Sequence, residues 1–242
     1  MVDPNNAAGA LPGDPRYGID EAQLAAYYRN KAPSWLIVGR LGGDGIARRE
    51  KAMPPHIVYL RTNRSRIRYA GPMFSDDGKT PQGSLTLLDA PDRATAKAYI
   101  DNEPYNLGGA FGSVEIMRWS SSMEVRQLGT VSTEGWQQWA ITAIDGPDGP
   151  ARREVVAEAH HKFQASVMSH YVARGPLQSD DGGSTIGSFM IVEFPDRAAV
   201  DAFWAKEPLN FGGVFRSVTF DRWRFGSAVG VPATRQAAVA AE

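Results

Sequence analysis

The chain says the same thing twice at one fixed spacing. Asp44-Gly45-Ile46-Ala47-Arg48-Arg49-Glu50 returns as Asp148-Gly149-Pro150-Ala151-Arg152-Arg153-Glu154. Gly71-Pro72, followed by Ser75-Asp76-Asp77-Gly78, returns as Gly175-Pro176, followed by Ser179-Asp180-Asp181-Gly182. The offset is 104 in both cases (148 − 44, 175 − 71) and still holds from Trp119 to Trp223. With no insertion or deletion over that span, both copies must answer to one fold. The period is too long for a solenoid unit and suits a whole small domain. Two such domains in one chain describe a covalently fused dimer.

Local patterning gives the order of elements. In the first copy, residues 35–41 read as a strand, 46–63 as a helix disturbed by Pro54-Pro55, and 67–70 as a short strand ended by Gly71-Pro72. Residues 84–88 make another strand, and Pro91-Asp92-Arg93 opens a helix to about 102, Asp92 suiting the free N–H groups of a first turn. The last strand covers 113–119. The second copy repeats this at 139–144, 151–168, 171–173, 188–194, 197–206 and 217–224. A short accessory helix over 19–30, capped by Asp20 with Leu24, Tyr27 and Tyr28 on one face, precedes both copies.

A βαββαβ order makes a four-stranded antiparallel sheet with both helices on one face. The other face carries apolar residues and needs a cover. The expected fold class is therefore α+β: two ferredoxin-like domains packed sheet-to-sheet as an intrachain, pseudo-dimeric α+β barrel. The expected domains are 34–120 and 137–226, joined by a polar linker over 121–136. A disordered segment with the accessory helix occupies 1–33, and a disordered tail 227–242.

Composition narrows the partners. Charged residues are 22% of the 242 and the formal net charge is −1, so no basic excess draws the chain to nucleic acid or to an anionic membrane. Arg61, Arg64, Arg66 and Arg68 make a local basic run, but the second copy has Ala165, Met168, His170 and Val172 there, which reads as a solvated face. There is no cysteine, which removes disulfides, thiolate nucleophiles and cysteine-based zinc sites. No basic start followed by an apolar stretch marks a secretory signal, and no apolar run nears the roughly 20 residues that cross a bilayer. The expectation is a soluble, cytoplasmic protein whose partner is a small molecule, with further self-association of the pseudo-dimeric chain left open.

Few ionisable residues recur between the copies in suggestive places. His56 matches His160 (160 − 56 = 104), and Asp76-Asp77 match Asp180-Asp181. His56 precedes Gly71-Pro72-Met73, Asp76-Asp77-Gly78, Gly83-Ser84, Glu103-Pro104-Tyr105, Gly109 and Trp119; the second copy gives His160, Gly175-Pro176-Leu177, Asp180-Asp181-Gly182, Gly187-Ser188, Glu207-Pro208-Leu209, Gly213 and Trp223. This combination resembles the YCII (YciI-like) family of dimeric α+β barrel proteins, in tandem. The chain departs from the usual pattern in having Met53 and Ala157 where the family carries Arg shortly before the His, and Glu-Pro where it carries Asp-Pro.

The resemblance implies a His–Asp pair in a cleft: His56 with Asp77, and His160 with Asp181. It also implies chemistry on small oxygenated rings, since one known activity in the family is dehydrochlorination of a chlorinated hydroxyhydroquinone and related barrels include muconolactone isomerases. A carboxylate that fixes the imidazole tautomer lets the other ring nitrogen take or give a proton near neutral pH, and such a pair needs no metal and no cofactor.

Plainer readings stand beside this one. Ser-Asp-Asp-Gly is ordinary turn chemistry, with Asp side chains bonded to nearby backbone and Gly at positive φ. Asn106 and Asn210, before Gly108-Gly109 and Gly212-Gly213, sit at a helix-to-strand turn or reach a ligand. Arg118 and Arg222 anchor a substrate carboxylate or bridge the two halves. His161 and His170 have no matching His in the first copy and read as surface, and a zinc site from them and His160 lacks the spacing. Leu41-Gly42-Gly43-Asp44-Gly45 is not the dinucleotide fingerprint. The reading is a cofactor-independent acid–base enzyme, lyase or isomerase, acting on a small oxygenated or aromatic-derived compound. The alternatives are a barrel that binds or assembles without turnover, and one catalytic half joined to a degenerate one.

Overall fold

The computed structural model describes residues 5–6, 17–30, 33–124, 133–226 and 228. Helix α1 (Glu21–Asn30) comes first, its start bridged by Asp20 and Gln23. The first copy then runs β1 (Ser34–Leu41), α2 (Gly45–Thr62), β2 (Ile67–Phe74), β3 (Pro81–Asp89), α3 (Arg93–Asp101), α4 (Pro104–Leu107) and β4 (Phe111–Trp119). After the two-residue β5 (Met123–Glu124), the second copy runs β6 (Gln137–Asp145), α5 (Gly149–Ser166), β7 (Tyr171–Gln178), β8 (Thr185–Phe194), α6 (Arg197–Ala205), α7 (Pro208–Phe211) and β9 (Phe215–Trp223). A single 3-10 turn precedes β2 and another precedes β7.

Two expectations about breakers give way. Strand β2 does not stop at Gly71-Pro72 but continues to Phe74, pairing Pro72 with Ser84 of β3. Proline costs the strand a donor, yet its carbonyl is still used, accepting from the N–H of Arg224 at 3.1 Å. Helix α2 runs unbroken through Pro54-Pro55. The carbonyls left without helical donors belong to Glu50 and Lys51, both exposed residues. Asp92 does cap α3, accepting from the N–H of Thr95 at 2.7 Å, and Asp196 does the same for α6.

The strands close into a ring. The first copy contributes the order β4-β1-β3-β2, the second β9-β6-β8-β7, and β7 pairs back onto β4. Two short seams join the halves: Met73↔Trp223 with Phe74↔Arg222, and Trp119↔Leu177 with Arg118↔Gln178. The offset relates them, since 73 + 104 = 177 and 119 + 104 = 223. The inner core draws on both copies, with Leu36, Leu85, Leu87 and Trp119 meeting Leu177, Phe189, Ile191 and Trp223. Each sheet also packs its outer face on its own helices, through Trp35, Leu88 and Tyr99 in one half and Trp139, Val192 and Phe203 in the other. Alternate residues of β1 therefore enter different cores, which is why Ser34 to Gly39 are buried without a break. Most of residues 1–16 and of the 227–242 tail, expected to be disordered, and half of the 121–136 linker lie outside the described residues. Among the described residues no helix is long and apolar enough to cross a membrane.

Candidate functional site

Helix α2 lays Arg49, Met53 and His56 along the face it turns toward β2 and β3. Between helix and sheet lies a cavity of about 310 Å3, lined by these three with Ser84, Thr86 and Tyr105 among others. Its far wall is Arg224 to Gly226, the segment that leaves β9 of the other half. The equivalent cavity under α5, about 260 Å3, is lined by Arg153, His160, His161, Arg174 and Ser188, and is walled by Ser122 from the segment leaving β4.

His56 Nδ1 lies 2.5 Å from Glu103 Oε1, and His160 Nδ1 lies 2.7 Å from Glu207 Oε1. Both carboxylates are buried, at 3% and 0% exposure. Glu103 has a second task, as the cap of α4: its Oε2 accepts the N–H of Tyr105 at 2.9 Å and of Asn106 at 3.2 Å. Pro104 at the first helical position has no N–H to satisfy, so one side chain completes the turn. Glu207 caps α7 with the oxygen that also meets His160, Oε1 accepting the N–H of Leu209 at 3.1 Å, while its Oε2 is buried without a partner among the described residues. A carboxylate already accepting from backbone amides acts as acceptor toward the imidazole too. Nδ1 therefore carries the proton, and Nε2 is left for other work. The His56 ring is held a second way, stacked on Tyr105 with centroids 3.8 Å apart. The second copy has Leu209 there. Burial raises the Tyr105 hydroxyl above the ordinary phenol range, partly opposed by the Arg49 guanidinium.

The structure corrects the expected partner of the histidines. Asp77 accepts from Ser75 Oγ at 2.6 Å and from the N–H of Lys79 at 3.1 Å; Asp181 accepts from Ser179 Oγ at 2.6 Å and from the N–H of Gly183 at 3.0 Å. Those bonds, the serine hydroxyl first, hold both carboxyls below the usual carboxylate range. Asp77 and Asp181 are exposed turn residues and line neither cavity. The acid beside each imidazole comes instead from the Glu-Pro dipeptide.

The expected substrate-binding residues also lie elsewhere. Arg118 donates to the carbonyl of Asp180 at 3.0 Å, and Arg222 to the carbonyl of Asp76 at 3.0 Å and to Gln137 Oε1 at 2.5 Å. The side chains of Asp180 and Asp76 pair with Arg93 and Arg197 of the opposite half at 3.1 and 3.3 Å. These turns clasp the barrel shut. Gly78 has φ +74°, and a Cβ there would stand 2.6 Å from the Arg222 guanidinium carbon. Asn106 gives its backbone N–H to Glu103, and the Asn210 side chain donates to the carbonyl of Trp204 at 3.1 Å; neither lines a cavity. Of the two histidines read as surface, His161 is exposed and lines the second cavity, whereas His170 is half-buried and stacks against Phe194 and Trp136.

Glu103, Glu207, Tyr105 and Arg49 were not singled out from sequence. The signal for the glutamates was there. Both recur at the 104 spacing before a proline, where a helix-capping acid belongs.

Residues 26–120 and 138–224 match the YCII-related domain family. No curated protein matches the chain. Among solved structures, 5-chloro-2-hydroxyhydroquinone dehydrochlorinase from Burkholderia phenoliruptrix, in complex with 2,5-dihydroxybenzoquinone, is 22% identical over 36% of this chain and 93% of that one, with a TM-score of 0.34. A chlorite dismutase from Candidatus Nitrospira defluvii is 8% identical over 84% of this chain and 95% of that one, with a TM-score of 0.56. A heme-binding protein from Thermus thermophilus is 11% identical over 79% and 91%, with a TM-score of 0.52. The last two likenesses span both halves and concern the barrel fold alone. Matched twice over most of its length, the chain belongs to the YCII-related domain family, as two copies in tandem.

Proposed function

We propose that this protein is a cofactor-independent acid–base enzyme of the lyase or isomerase kind, acting on a small oxygenated, aromatic-derived compound. The observation that carries the reading is the pairing, in both halves, of a cavity-lining imidazole with a buried glutamate. Nε2 takes a proton from an acidic C–H or O–H of the ring. Glutamate stabilises the imidazolium and keeps the ring oriented. The electron pair left on the substrate then expels a leaving group from a neighbouring carbon, or the proton returns at another position. Met53, Ile57 and Leu60 give the first cavity an apolar wall for a ring, while Ser84 and Thr86 offer hydroxyls to its oxygens.

The test uses 5-chloro-2-hydroxyhydroquinone and unchlorinated hydroxyquinols as probes, with chloride release and ring absorbance as readouts. His56→Gln and His160→Gln together should reduce turnover by about 10^2- to 10^4-fold, the usual worth of a positioned proton carrier. The melting temperature should stay nearly unchanged. Undiminished turnover would sink the proposal, and a collapse in melting temperature would mark the imidazoles as structural. Tight binding of the panel with no turnover by the unaltered protein would favour the binding-barrel alternative.

A further inference from the structure

The two cavities differ in the fate of one arginine. Arg153 on α5 is clamped: Nε and a terminal nitrogen hold the two oxygens of Asp145 at 2.7 and 2.8 Å, and the same terminal nitrogen reaches Ser188 Oγ at 3.0 Å. Its charge is cancelled by a buried carboxylate. In the first copy the residue equivalent to Asp145 is Leu41 (145 − 104 = 41), seated against Gly45 as Asp145 is against Gly149. Arg49, equivalent to Arg153, therefore has no such acid. No carboxylate among the described residues pairs with it, and its Nε is buried without a hydrogen-bond partner. The guanidinium instead lies over Tyr105, 5.3 Å from the ring centre. Arg49 precedes His56 by 7 residues, two helical turns, which puts both on one face of α2 and into one cavity. None of that cavity's lining residues is acidic, and Arg224 adds a second cation.

We infer that the first cavity binds a ring compound bearing a carboxylate, held by the Arg49 guanidinium beside His56, and that the second cavity has lost this use of its arginine. A planar fork of donors matches a carboxylate in two places at once, and burial strengthens the bond. The inference rests on the same cavity as the proposed reaction, and binding can be measured apart from turnover.

The experiment is calorimetric titration of the full chain with benzoate and, as the uncharged match, benzamide. Benzoate should bind at one site per chain, at least about tenfold tighter than benzamide. Arg49→Met should weaken benzoate about 10- to 100-fold, the worth of a charge-assisted bond, and leave benzamide unchanged. Leu41→Asp should do the same while keeping Arg49, by rebuilding the clamp seen at Arg153. Asp145→Leu should add a second benzoate site. Equal affinity for the two probes, or benzoate binding untouched by both Arg49→Met and Leu41→Asp, overturns the inference. Circular dichroism of each variant excludes misfolding as the cause of a loss. His56→Gln should keep benzoate affinity. Benzoate binding without turnover would sink only the proposed reaction, and turnover with no preference for an anion only the carboxylate.

Discussion

Glu103 shows how a single side chain can fold a turn and prepare a site. One oxygen caps α4 and the other holds His56, so the two effects are separable by substitution. Glu103→Gln keeps an oxygen for the amides of Tyr105 and Asn106 but ends the charge opposite the imidazole. Turnover should fall at least tenfold, with a melting temperature within a few degrees of the unaltered protein. Glu103→Ala removes both, and chemical denaturation should register a loss of about 1–3 kcal/mol for the donors left buried. If Glu103→Gln keeps full turnover, the glutamate is only a cap. At this scale the sequence was legible in the histidines and misleading in the acids. Asp77 and Asp181 have the right residue type and the right repeat, but turn chemistry claims them. A helix four residues long gives too little periodicity to announce that Glu103 caps it, so only the recurrence of Glu-Pro at the 104 spacing marked its carboxylate.

Among the elements, β2 and β7 are decided by glycine. A Cβ at Gly71 would lie 1.8 Å from the carbonyl oxygen of Arg224, and one at Gly175 would lie 1.9 Å from that of Ser120. The segments after β9 and β4 cross the strands there, donating back at Gly226 to the carbonyl of Ala70 and at Ser122 to that of Arg174. Gly71→Ala or Gly175→Ala should cost about 1–3 kcal/mol in denaturant unfolding, as forced overpacking does, because backbone rather than a pliant side chain must move. A neutral effect would mean the crossing is loose. The sequence presents Gly-Pro as a stop, and locally that is its ordinary meaning. What overrides it is a partner strand from 104 residues away, which no local window contains. The six main strands and helices of each copy were otherwise legible, because alternation and Asp caps act within a few residues.

For the whole molecule, closure rests on two short strand seams, each prolonged by backbone bonds from the segment after β4 or β9 to β7 or β2, on the four arginine–turn contacts and on one bidentate ion pair, Arg40 to Asp221 at 2.8 and 2.9 Å. These are modest links around a large shared core. Cutting the chain at an inserted protease site near residue 130, outside the described residues, should leave the halves together at the size of the intact protein on gel filtration. Two separate soluble halves would contradict the shared inner core. The barrel itself was legible because a bare apolar sheet face, repeated twice, has one economical cover. The crossing segments were not, since Ser120 to Ser122 and Arg224 to Gly226 resemble each other only in place.

Those crossing segments carry a consequence for descent. Each cavity owes its outer wall to the opposite copy, so a change in the stretch after β9 remodels the first pocket while residing in the second gene half. Neither duplicate can specialise alone. Swapping one repeat for a relative's would transplant a pocket floor together with its neighbour's lid, and recombination at the midpoint would yield hybrids in both chambers at once.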